Sequence, residues 1–85
     1  MSIALSKGQV RGARGMLDWS LADLAKAAQV SVSSVKRFET TELDAVSHET
    51  AGKIRDALEH QGITFLVDDG TGLGLRLRGL AKAAD

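Results

Sequence analysis

The stretch SLADLAKAAQVSVSSVKRFE, residues 20–39, decides how this chain folds. Ser20 is an N-cap candidate, and Leu21, Leu24, Ala25 and Ala28 after it share one helical face. Gln29 and Val30 interrupt that period, and Ser31 is a further N-cap candidate. The spacing predicts one helix over Leu21–Ala28 and a second from Val32 to about Glu39, joined by a very short turn. In the second helix only Val35 and Phe38 recur as inward apolar positions. Ser33, Lys36, Arg37 and Thr40 fall at i, i+3, i+4 and i+7 and form one outward stripe of hydroxyls and positive charge.

Working outward, Ser6-x-x-Gln9 is a capping-box pattern, and Val10, Ala13, Met16 and Leu17 repeat behind it, so a first helix is expected over about Lys7–Leu17. It carries Gly8, Gly12 and Gly15, each costing about 1 kcal/mol against alanine, which suggests close approach of a neighbouring helix. Thr40 to Val46 lacks helical period and reads as a loop in which Leu43 and Val46 turn inward. Ser47 caps a fourth helix with Ala51, Ile54, Ala57 and Leu58 inside and Gly62 as its left-handed stop. Beyond Gly62 the period becomes alternating: Ile63, Phe65 and Val67, then turn chemistry over residues 68–72, then Leu73, Leu75 and Leu77. A β-hairpin over residues 63–79 follows, with a tail over residues 80–85.

Eighty-five residues form one small domain with a modest core. With no cysteine there is neither a disulfide nor a thiolate metal site, and no window approaches the roughly 20 apolar residues of a membrane span. A cytoplasmic location without membrane contact is expected. The zero net charge hides an asymmetry. Up to Phe38, Lys7, Arg11, Arg14, Lys26, Lys36 and Arg37 face only Asp18 and Asp23, while residues 39–69 hold eight acids against Lys53 and Arg55. A positive N-terminal half suits a polyanion.

Residues 6–62, about two thirds of the chain, resemble the lambda-repressor/Cro-like (Xre-type) helix-turn-helix family, with Leu21–Phe38 matching its motif. Its small residue is Ala25, and its buried positions fall on Leu24, Ala28, Val30, Val35 and Phe38. The fold implied is mostly α: a four-helix lambda-repressor-like helix-turn-helix domain over residues 1–62, followed by the C-terminal β-hairpin. The resemblance also implies a partly buried ion pair between Arg14 and Glu39 that orients the arginine toward a phosphate. Two positions depart from the pattern. Gln29 stands where the family has a turn glycine, placing a side chain in or near left-handed backbone. Leu21 replaces a phosphate-binding glutamine, leaving that work to backbone amides and Ser20.

In this frame Val32, Ser33, Lys36 and Arg37 face base edges: arginine or lysine can donate to guanine, serine to several bases, and valine can touch a thymine methyl. Arg14, Ser20, Ser31, Ser34, Thr40 and Thr41 are placed for phosphates. Two-fold pairing would set two such helices about 34 Å apart on palindromic half-sites. Ile63, Phe65, Leu66, Val67, Leu75 and Leu77 of the hairpin are the dimerisation candidates, through strand pairing across its edge; alternatively the hairpin only caps helices 1 and 4 of its own subunit. Arg76 and Arg78 read as edge-protecting charges in preference to extra DNA contacts.

No catalytic set, metal site, cofactor or small-molecule effector is indicated. His48 and His60 lie at opposite ends of helix 4, Gly70-x-Gly72-x-Gly74 is a turn between strands, and Trp19 reads as core filler. The expectation is therefore a non-enzymatic, dimeric, sequence-specific DNA-binding transcriptional regulator, a bacterial or phage repressor. The alternative on the same fold is a protein-interaction module of antitoxin or coactivator type.

Overall fold

The computed structural model describes residues 5–40, 46–66, 70, 72 and 74–78. Among these the chain forms α1 (Lys7–Leu17), α2 (Leu21–Ala28), α3 (Val32–Thr40) and α4 (His48–His60), then β1 (Ile63–Leu66) and β2 (Gly74–Leu77) as an antiparallel hairpin. Four helices followed by a two-stranded hairpin is the architecture the sequence predicts. Thr41, Leu43, Val67, Leu73 and the tail lie outside the described residues.

Each helix starts where a serine just ahead of the apolar stripe can accept from a backbone amide three residues on. Ser6 and Ser20 close full capping boxes with Gln9 and Asp23, and Ser47 accepts from Thr50 N. Ser31 does the same for α3, accepting from Ser34 N at 3.0 Å. α3 runs one residue beyond its expected end. The Thr40 hydroxyl donates to Lys36 O at 2.8 Å, which holds Thr40 in the helix at the position where the sequence predicts a loop.

The turn between α2 and α3 hinges on Gln29, which sits in left-handed backbone (φ 60°, ψ 45°) and donates its N–H to Ala25 O and Lys26 O. Asp18 ends α1 in the same way (φ 58°). Both are side-chain-bearing residues in a region that costs about 1 kcal/mol outside glycine. Gln29→Gly is therefore expected to raise stability by about 0.5–1 kcal/mol, read from the denaturant midpoint, because glycine removes that strain but loses more unfolded-state freedom.

Phe38, Leu24, Ile54, Leu58, Val10 and Val35 are fully buried, and Leu5, Ala13, Ala25, Ala28, Ile63 and Phe65 complete the core. Each large side chain contributes about 1.5–3 kcal/mol by leaving water. α2 packs on α3 and α4, α1 on α3 and β2, and α4 on β1. Val46 and Trp19 pack against this core as half-buried residues.

The hairpin pairs Ile63 with Leu77, Thr64 with Arg76, Phe65 with Leu75 and Leu66 with Gly74. Ile63, Phe65, Leu75 and Leu77 thus share the inner face, and Thr64, Leu66 and Arg76 the outer one. The side chains of Ile63 and Phe65 are 3% and 7% exposed, covered by their own subunit's helices, which leaves only their backbone edge for the strand pairing expected of them. Leu75 and Leu77 are half-buried against the same core. Gly12 is also explained differently from expectation. A Cβ there would lie 2.8 Å from Leu75 Cδ1, so the element in close approach is a strand, while Gly8 meets only the Ser6 hydroxyl and Gly15 meets nothing. Gln9, buried in α1, adds a polar tie by donating from Nε2 to Gly74 O at 2.9 Å.

Candidate nucleic-acid interface

α3 presents two unlike faces. Val35, Phe38 and Glu39 are buried, whereas Val32, Ser33, Lys36 and Arg37 are all exposed on the opposite side. Val32 is 45% exposed, unusual for an aliphatic side chain, and it stands at the first position of the helix beside Ser33. The four side chains named as base-reading candidates therefore form one solvent-facing surface about two turns long.

An ion pair fixes how that surface sits. Arg14 Nε donates to Glu39 Oε2 at 2.7 Å and Nη2 to Oε1 at 2.8 Å, a bidentate contact between α1 and the end of α3. Nη1 donates to Trp19 O at 3.0 Å, so the guanidinium also clasps the α1–α2 junction. The Glu39 side chain is only 5% exposed and that of Arg14 22%. Hydrogen bonding to Glu39 holds Arg14 in its charged form more firmly than usual. Three of the five N–H groups of Arg14 are used by partners among the described residues, and two are not.

The short donors proposed for phosphates divide into two kinds. Ser31 Oγ donates to Ser34 Oγ at 2.9 Å and Thr40 Oγ1 to Lys36 O, so neither has a hydroxyl hydrogen directed outward. Ser34 Oγ only accepts in this arrangement and keeps its own hydrogen. Ser20 accepts from Asp23 N, while its amide donates to Asp23 Oδ2 at 2.9 Å. These bonds to Ser20 hold the Asp23 carboxyl below its ordinary range. A carboxylate thus already occupies the start of α2, and the Ser20 amide serves it in place of a phosphate. Because the shift is downward, its contribution to stability is present at neutral pH and disappears as pH falls through the depressed value.

A separate shallow groove of about 310 Å³ lies between the C-terminal ends of α2 and α4, lined by residues that include Gln29, Lys53, Asp56 and His60. No α3 residue lines it. Among the described residues no group of three or more histidines and carboxylates is placed to hold a metal, and no helix is long and apolar enough to cross a membrane.

Sequence reasoning missed the buried amide of Gln9 and the involvement of Asp23 at the α2 cap. For Asp23 a signal existed, since Ser20-x-x-Asp23 has capping-box spacing. No protein-family model matches the chain, and no curated protein matches its sequence.

Proposed function

We propose that the chain is a sequence-specific DNA-binding transcriptional regulator that inserts α3 into the major groove and acts as a homodimer on a palindromic site, in the manner of a bacterial or phage repressor in the cytoplasm. The observation that carries this reading is the pairing of an exposed Val32-Ser33-Lys36-Arg37 surface with a buried anchor, Glu39, gripped by Arg14 on another helix. A stripe that was merely solvated would not require its helix to be locked in orientation. Here Lys36 and Arg37 supply guanine-directed donors, Ser33 a small adaptable one, and Val32 an apolar contact for a thymine methyl. Arg14 and Ser34, with donors to spare, serve the phosphates and set register without reading sequence.

Selection from random duplex DNA tests this directly and is expected to enrich a palindrome. Arg37→Ala is then expected to lose about 1–3 kcal/mol on the selected duplex, measured by fluorescence anisotropy, with little change on a random one. Equal losses on both would remove Arg37 from the base-reading set. Thr40→Ala is expected to leave affinity for either duplex nearly unchanged, since its hydroxyl already serves Lys36 O.

A further inference from the structure

The hairpin has two edges, and they are not equivalent. Arg78 N donates to Gly62 O at 2.8 Å, which sets the phase of the ladder: the bonded pairs are Gly62 with Arg78, Thr64 with Arg76 and Leu66 with Gly74. The amides and carbonyls of Ile63 and Phe65 on β1, and of Leu75 and Leu77 on β2, therefore point away from the opposing strand. No backbone hydrogen bond beyond the hairpin reaches them among the described residues.

Such edges template another strand unless charge or shape prevents it. β2 is defended. Antiparallel pairing of β2 with its own copy must match outward-pointing backbone groups, which leaves two well-overlapped registers. One sets Arg76 against Arg76 of the partner subunit. The other sets it against Gly74, which offers no side chain to pack. β1, with the sequence Ile-Thr-Phe-Leu, has no charge, no proline and no glycine. Its two overlapped registers set Thr64 opposite its own copy, or opposite Leu66 of the partner subunit, and both are cross-strand pairs that stabilise a sheet.

We propose that a second copy of this chain docks along the β1 edge, antiparallel, so that two hairpins form one four-stranded sheet across a two-fold axis. The proposal deepens the dimer part of the functional reading above and depends on it only there. The inner face keeps its cover of α1 and α4, so docking leaves the core intact. Thr64, exposed, and Leu66, half-buried, supply the side-chain contacts on the outer face. Four residues of strand make a small interface by the standard of stable complexes, so the dimer is concentration-dependent and is reinforced when two half-sites hold both copies together.

The chain has no cysteine, which makes cross-linking clean. Opposed residues in a non-bonded antiparallel pair lie about 4.5 Å apart at Cα, within disulfide reach. Thr64→Cys alone, or an equimolar mixture of the Thr64→Cys and Leu66→Cys variants, is expected to give a disulfide-linked dimer under mild oxidation, whereas Arg76→Cys is not. A second variant, Thr64→Glu with Leu66→Glu, places like charges face to face in both registers, while the new carboxylate at position 64 keeps a favourable cross-strand partner in its own subunit's Arg76. It is expected to weaken self-association about tenfold by sedimentation equilibrium, with helical circular dichroism and binding to a single half-site duplex unchanged. Cross-linking by Arg76→Cys at equal yield, absence of any cross-link, or undiminished self-association of the double variant would each overturn the proposal. Loss of sequence selectivity with the cross-link intact would instead overturn the DNA-binding reading and leave this dimer standing.

Discussion

Gly62→Ala is expected to cost about 3–5 kcal/mol of folding stability, a large share of the whole for a chain of this length. Two independent causes combine. The residue sits at φ +98°, outside the conformations that side-chain-bearing residues adopt readily, and this alone costs about 1–3 kcal/mol. An added Cβ would also lie 2.5 Å from the carbonyl oxygen of Arg78. That atom is backbone and cannot swing aside as the end of a side chain can. Relief would require β2 to shift from β1 just where Arg78 N bonds Gly62 O, undoing the first rung of the hairpin. Chemical denaturation of the two proteins side by side measures the loss; a change below about 1 kcal/mol would mean the strands are not held at this distance.

Glu39→Ala is the second large effect, expected at about 2–4 kcal/mol of stability and a parallel loss of selective DNA binding. The carboxylate is the only anion bonded to Arg14 among the described residues, and its removal leaves a largely covered guanidinium with just the Trp19 carbonyl. Partial exposure of Arg14 keeps the figure below that of a wholly buried pair, because water can reach the orphaned donors. The shape of the result matters as much as its size. Arg14→Ala should cost at least as much stability as Glu39→Ala, since it strands the more deeply buried partner, an anion at the C-terminal end of α3 where the helix dipole disfavours it. The double variant should be less destabilised than the sum of both, with the coupling read from a double-mutant cycle.

Local signals made most of the helical part legible. Serine caps, apolar spacing and the left-handed Gln29 each depend on neighbours within a few residues, so the bounds of α1, α2 and α4 follow from the chain directly. The exposure of Val32, Ser33, Lys36 and Arg37 was legible for the same reason: helical geometry fixes the outward face once Val35 and Phe38 fix the inner one. What escaped was set by distance. Alternation in Ile63, Phe65, Leu75 and Leu77 announces a buried face but cannot say whose helices bury it, and the answer is α1 and α4 of the same subunit. Gln9 bonding Gly74 across 65 positions leaves no local trace. The hydroxyls of Ser31 and Thr40 escaped differently. Composition counts them as available donors, whereas their use is decided by acceptors one helical turn away.

The tie from Gln9 to Gly74 spans 65 positions of sequence, and Gly12 is shaped to receive Leu75 beside it. Nothing made early in synthesis can satisfy either contact. The helices, whose bonds are short-range, can collapse as the polypeptide emerges, but α1 keeps an uncovered flank until β2 has cleared the ribosome. Docking of the hairpin thus follows formation of the helices, and a chain truncated before residue 74 is expected to keep helical content while leaving that flank of α1 open.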